Sequence, residues 1–167
     1  PGFELGAGWT APSLFLDTEH AHGGERSVRL SVKGPPGSGD AAMQSVVTAE
    51  FPEFLSGFYR VDDWPGGGAY LQFTVRAATA RFEVVPEVRF IIAGTGSEAA
   101  PSSPAPAVFL SRDAPATGEW TYFAYPLRQA FLDKTAAIPA TWASVDVSLE
   151  LRSLSGVVQT TAYFDDI

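Results

Sequence analysis

Apolar and polar residues alternate in short runs along most of this chain. In Ala69 to Ala77, Leu71, Phe73 and Val75 share one face while Tyr70, Gln72, Thr74 and Arg76 share the other, the period-two pattern of a half-buried strand. Ser144 to Leu151 carries the cleanest signal, with Val145, Val147, Leu149 and Leu151 on one side and Asp146, Ser148 and Glu150 opposite. Runs of similar character predict strands at Ser27 to Val32, Ala42 to Phe51, Phe54 to Val61, Phe82 to Ala93, Ala107 to Ser111, Trp120 to Leu127 and Val157 to Asp166.

Thirteen prolines and sixteen glycines punctuate these runs and leave little room for long helices. The pattern predicts an all-β domain, and about nine strands suit a two-sheet antiparallel β-sandwich. Pro86 cannot donate a ladder hydrogen bond, so Phe82 to Ala93 is expected to bend, bulge or lie at an edge. Lys33 to Asp40 and the Gly, Ser, Ala and Pro tract Gly94 to Pro106 read as loops. A single helical turn is expected at Leu127 to Leu132, after Pro126, where Leu127, Ala130 and Phe131 have helical spacing.

With 167 residues, 46% of them hydrophobic and 13% aromatic, the chain is expected to form one domain, 1–167, with a sizeable core. No apolar run approaches the ~20 residues of a membrane-spanning helix, and the start lacks the layout of a signal peptide, so a soluble domain without membrane insertion is expected. The absence of an initiator Met points to a domain processed or excised from a larger protein, which gives it possible neighbouring domains or subunits. The chain has no cysteine, which removes disulfides, zinc-thiolate sites and thiol nucleophiles together. A net charge of -8 repels a phosphate backbone, so nucleic acid is not an expected partner.

One set of residues has the composition of a sugar site. Pyranose C–H faces stack on aromatic rings, and hydroxyls need fixed donors and acceptors. Trp64, Tyr70, Gln72, Arg76 and Tyr59 are the candidate ligand-binding residues, and Tyr70, Gln72, Thr74 and Arg76 would lie on one face of one strand. Trp64 follows Asp62-Asp63 and precedes Pro65-Gly66-Gly67-Gly68. That context suits either an exposed platform at a loop tip or packing. Trp120 is expected in the core and His22 in turn packing.

Catalysis has little support. His20 and His22 fall in one turn, and no Ser-centred nucleophile elbow occurs. Gly66-Gly67-Gly68 and Gly94-Thr95-Gly96 lack the context of a phosphate loop.

The two ends of the chain add a further pattern. It opens Pro1-Gly2-Phe3-Glu4 and closes Tyr163-Phe164-Asp165-Asp166-Ile167, with His22-Gly23-Gly24-Glu25-Arg26-Ser27-Val28-Arg29-Leu30 between. Together these segments resemble the jelly-roll carbohydrate-binding modules and their galactose-binding-domain-like relatives, and the resemblance spans nearly the whole chain. It implies a jelly-roll sandwich with a structural Ca2+ held by Glu4, by carbonyls of the Gly23 to Glu25 turn, and by Asp165. The turn here reads His-Gly-Gly-Glu where the family more often has His-Ser-Gly-Lys. Asp165 and Asp166 should point to opposite faces of the last strand, so only Asp165 is expected to ligate. The alternative is that Glu4 and Asp165 simply sit on the surface.

The resemblance further implies a non-catalytic, secreted or extracellular module that binds a polysaccharide or oligosaccharide. A structural or adhesive β-sandwich subunit of an extracellular assembly is the second reading. A jelly-roll polysaccharide lyase or glycosidase is the third.

Overall fold

The computed structural model of the chain describes residues 9–10, 15–46, 51–64, 69–78, 87–94, 107–109, 111, 114–135, 144–153 and 158–167. They form β1 (Trp9–Thr10), β2 (Phe15–Asp17), β3 (Ser27–Gly34), β4 (Gly39–Val46), β5 (Leu55–Val61), β6 (Ala69–Ala78), β7 (Glu87–Gly94), β8 (Ala107–Phe109), β9 (Thr121–Tyr125), α1 (Leu127–Thr135), β10 (Ser144–Ser153) and β11 (Val158–Asp165). One sheet has the order β1-β4-β10-β6-β7-β8 and the other β2-β3-β11-β5-β9. All pairings between these strands are antiparallel except that of β7 with β8. This is the all-β, two-sheet sandwich that the alternation predicts.

The inner faces of the sheets meet in a single core. Leu71, Phe73, Val75 and Ala77 of β6 and Val145, Val147, Leu149 and Leu151 of β10 face Val28, Leu30 and Val32 of β3 and Ala162 and Phe164 of β11. Phe73 is fully buried and stacks on Phe90 at 4.7 Å and on Phe123 at 5.8 Å, tying β6 to its neighbour β7 and to β9 of the facing sheet. Helix α1 closes one part of the core by inserting Leu127, Ala130 and Phe131, with Phe131 against Phe51 at 5.1 Å.

Several boundaries differ from those expected. Strand β3 continues to Gly34 and β4 starts at Gly39, so the predicted Lys33 to Asp40 loop narrows to a short turn. In it Gly37 takes φ 88°, a left-handed geometry that glycine tolerates at no steric cost. Leu127 belongs to α1 rather than to the strand before it, and the helix runs to Thr135 rather than Leu132. The short strands β1 and β2 carry too few residues to show a period. The expected bend at Pro86 and the interior of the Gly94 to Pro106 tract lie outside the described residues. Among the described residues no helix is long and apolar enough to cross a membrane.

Candidate functional site

The six-stranded sheet turns a polar face away from the core, and its register arranges that face in rows. Asp146 on β10 lies opposite Arg76 on β6, which lies opposite Glu87 on β7. The next rows are Ser148, Thr74 and Arg89, then Glu150, Gln72 and Ile91, then Arg152 beside Tyr70. At about 3.3 Å per residue, the four rows span roughly 20 Å. All of these residues but Ile91 floor a cleft of about 360 Å³, bordered by Met43 and by Gly37 of the β3–β4 turn. Between Leu71 and Gln72 the β6–β7 register shifts, so that Leu71 pairs with Ala93 but Gln72 with Ile91. This irregularity sits in the middle of the floor.

Glu150 is the hub of the floor. Its carboxylate accepts hydrogen bonds from Gln72 Nε2 at 3.1 Å, Thr74 Oγ1 at 2.9 Å and Arg152 Nε at 2.9 Å. Gln72, Thr74 and Glu150 are each buried. A buried carboxylate is tolerable only when paired and hydrogen-bonded in this way. One row set further along, Arg76 donates to Glu87 through Nη2 at 2.6 Å and Nε at 3.3 Å, an interaction that raises the guanidinium pKa. Asp146 accepts from Ser45 Oγ. Tyr70 is 3% exposed. Burial first, and then the charge of Glu150, push its phenol up to about 12 against the opposing pull of Arg152 and Arg89.

Of the five residues marked as ligand-binding from sequence, Tyr70, Gln72 and Arg76 line this cleft together. Tyr59 and Trp64 do not. Tyr59 faces inward from β5 as part of the core, with its ring 6.4 Å from Phe123, because position 59 shares a face with Val61. Trp64 is not an exposed platform either: it is half-buried and packs against the core, with its Nε1 enclosed. Thr74, which alternation places on the same face as Tyr70, Gln72 and Arg76, lines the cleft with them, whereas Glu150 and Arg152 join it unannounced. Alternation put Glu150 on the polar face of its strand, but only the pairing of β10 beside β6 brings it to Gln72.

Of the expected calcium ligands, Asp165 lies on the other sheet, at the end of β11, and Gly23 and Glu25 lie in the β2–β3 loop. Asp165, 1% exposed, faces outward from β11 and is covered by the β2–β3 loop. Its Oδ2 accepts the backbone N–H groups of His22 at 2.7 Å and Gly23 at 3.1 Å, and its Oδ1 that of Asp166 at 2.8 Å. Even so, burial raises its pKa, and the neighbouring Asp166 charge adds to the rise. The three amide donors therefore only partly offset the cost of burying the carboxylate.

Asp166 turns away at φ 54°, and its Oδ2 lies 3.0 Å from His22 Nδ1. The His22 ring stacks on Phe58 at 3.5 Å and meets the edge of a half-buried Trp120 at 5.8 Å, so Trp120 lies at the sheet surface rather than within the core. Glu25 is exposed, and Glu4 lies outside the described residues. Among the described residues no three His, Cys, Asp or Glu side chains gather closely enough to hold a metal. A calcium ion there would need backbone carbonyls or Glu4 beside Asp165.

No family model matches the sequence, and no curated protein matches it. Solved structures do match. A carbohydrate-binding module described in work on the promiscuous specificity of such modules from the β-sandwich superfamily superposes with a TM-score of 0.62 at 16% identity, covering 98% of this chain and 58% of that one. The present chain thus spans little more than half the length of that structure. TmCBM61, solved with β-1,4-galactotriose, matches with a TM-score of 0.52 at 12% identity over 99% of this chain and 91% of its own. The xyloglucanase domain of NopAA from Sinorhizobium fredii, solved with cellobiose, gives 0.54 at 10% identity over 99% and 92%. Modules and an enzyme domain share the architecture, so it does not by itself separate binding from catalysis. The chain has the jelly-roll β-sandwich fold found in carbohydrate-binding modules.

Proposed function

We propose that the chain is a non-catalytic module of a secreted protein, and that the outer face of its six-stranded sheet binds a polysaccharide or oligosaccharide. The observation that carries this reading is the floor of the cleft, where Tyr70, Gln72, Arg76, Glu150 and Arg152 are gathered on one face. Planar amide, carboxylate and guanidinium groups fixed by one another offer rigid donors and acceptors, which polyhydroxylated rings require. The likeness in fold to modules described as carbohydrate-binding agrees with it.

Of the three cleft carboxylates, Glu87 and Glu150 each hold an arginine and Asp146 accepts from Ser45 Oγ, whereas glycoside hydrolysis needs a carboxyl that gives its proton to the leaving oxygen. That engagement favours binding over turnover. In this proposal Ca2+ is structural: Asp165 supplies the carboxylate, carbonyls of Gly23 and Glu25 and the carboxylate of Glu4 complete the set, and the ion supplies the positive charge that the buried acid lacks.

Depletion assays of the chain on insoluble polysaccharides, with parallel assay for new reducing ends, test the function. Saturable retention without new reducing ends is expected. Turnover that disappears when a cleft carboxylate is changed to its amide would replace the module with an enzyme. Melting with and without chelator tests the ion: a native-state ligand raises apparent stability, so chelation should lower the Tm.

A further inference from the structure

A second cleft opens at the side of the sandwich, where the two sheets part beside β9. Its volume is about 580 Å³, within the usual range for small-molecule sites. Ile92 of β7, Tyr59 of β5 and Phe123 of β9 are buried and form its back. Tyr122, 57% exposed, lines it together with Thr121, Tyr125 and Ser111, which are half-buried, so these side chains are reached from solvent. Among the described residues none that lines this cleft is charged, whereas three arginines and three carboxylates line the sheet cleft.

The lining is held in place. Tyr122 is the cross-strand partner of Phe58, with the rings 5.1 Å apart, and Tyr125 meets Phe90 edge-on at 5.2 Å. The Thr121 side chain hydrogen-bonds the Tyr59 phenol. All five residues of β9 border the cleft, and β9 is the last strand of its sheet. Alternate backbone N–H and C=O groups on the open side of such a strand are fixed donors and acceptors with no strand to pair with.

Fixed polar groups beside an accessible aromatic ring are the pairing that a sugar needs. In the sheet cleft the tyrosine, Tyr70, is 3% exposed and offers little ring face. Tyr122 offers one. A uronate would find no cation in this lining to receive its carboxylate, in a chain of net charge -8.

We propose that the edge cleft is a second binding site, separate from the sheet cleft, and that it takes a short neutral oligosaccharide, with a ring stacked on Tyr122 and hydroxyls on Thr121 and the open backbone edge of β9. The five tyrosines of the chain report on both clefts. Tyr59, Tyr122 and Tyr125 line the edge cleft, Tyr70 lines the sheet cleft, and Tyr163 lines neither. Nuclear magnetic resonance of the whole chain carrying carbon-13 tyrosine, with ring signals assigned from Tyr→Phe variants, therefore locates the ligand. The probes are cellobiose, xylobiose, mannobiose, β-1,4-galactobiose and digalacturonate.

At least one neutral disaccharide should shift the Tyr122 and Tyr125 signals saturably and leave Tyr163 in place, whether or not Tyr70 also moves. Tyr122→Ala, a change at an exposed position, should weaken the effect on Tyr125 about tenfold, the loss expected for one aromatic contact. Digalacturonate should leave the edge signals where they are.

A shift confined to Tyr70 would overturn the edge cleft and leave the sheet cleft standing. No shift at any tyrosine with the four neutral sugars would overturn the edge cleft as well. Edge shifts produced as readily by digalacturonate would overturn the neutral class, and unchanged affinity in Tyr122→Ala would overturn the stacking. The arms with the unmutated chain decide the site even if the variant fails to fold.

Discussion

The carboxylate of Asp165 holds the backbone N–H of His22 at 2.7 Å across 143 residues of sequence. With the Gly23 and Asp166 amides it fastens the β2–β3 loop to the last strand. Hydrogen bonds to a charged acceptor contribute about 1.5–3 kcal/mol each in favourable settings, though not additively. Asp165→Ala should therefore cost about 3 kcal/mol in urea unfolding. If Asp165 also ligates calcium, the Tm of the variant should no longer respond to chelator.

Removing the hub of the cleft should be as costly. Glu150→Ala leaves Gln72 Nε2, Thr74 Oγ1 and the Arg152 guanidinium facing one another without their acceptor. Breaking a buried pair by deleting one partner costs about 3–5 kcal/mol, and the partial exposure of Arg152 places this case near the lower figure. Equilibrium unfolding with intact far-ultraviolet circular dichroism in the absence of denaturant is the check.

Trp64 and Tyr70 should part company. Trp64 packs half-buried against the core, away from the cleft, so Trp64→Ala should destabilise by roughly 2 kcal/mol, below the range for a fully buried ring, and leave ligand affinity unchanged. Tyr70→Ala should weaken ligand binding as well as stability. Titrating the ligand that binds best against both variants separates the two effects.

Alkaline titration offers a test of burial at Tyr70 and Tyr163. Both phenols are pushed up to about 12, Tyr70 mainly by burial and Tyr163 by burial and its hydrogen bond to Asp62. A tyrosine titrates near 10 in the unfolded chain, so the stabilisation is complete below about pH 10 and is lost as the pH rises towards 12. Burial also raises the phenols of Tyr59 and Tyr125, so phenolate absorbance should show several late-ionising groups with Tyr70 and Tyr163 the latest, and Tyr70→Phe should remove one of these two.

Asp17 gives the opposite sign at the acid end. Burial alone would raise its pKa, but hydrogen bonds from the His20 amide and imidazole and from the Glu19 amide lower it on balance. Its stabilisation is full above pH 3.8 and fades as the pH falls through the depressed value. The stability difference between the unmutated chain and Asp17→Asn should shrink over that interval, measured by urea unfolding at several acidic pH values.

The residues that announced themselves in the sequence are those whose environment follows from a single strand. Leu71, Phe73 and Val75, or Val145 and Leu149, reveal their face by period two, and Tyr70, Gln72 and Arg76 fall together on the other face for the same reason. Partners across strands are a different matter. Register is a long-range property, so the link from Gln72 to Glu150, 78 positions away, was not legible.

Tyr59 shows the limit from another side. Its strand, Leu55–Val61, carries Phe58 and Tyr59 on opposite faces, and both are aromatic, so composition gave no hint that Tyr59 turns inward and Phe58 outward beneath His22. For Trp64 the proline and glycine neighbours leave an exposed tip and packing equally open, and only the fold shows the large ring turned back onto the core.

The strand order bears on how this chain reaches its native state. Strands β10 and β11 follow all the others in sequence, yet each is inserted between two earlier strands, β4 and β6 in one sheet and β3 and β5 in the other. Until residues 144–165 leave the ribosome, neither sheet has its middle, and β3, β4, β5 and β6 each present a bare edge to solvent. Such long-range closure makes for slow folding and a period of vulnerability to aggregation. Synthesis should therefore yield a protease-sensitive nascent chain that becomes resistant only after its last two strands have emerged.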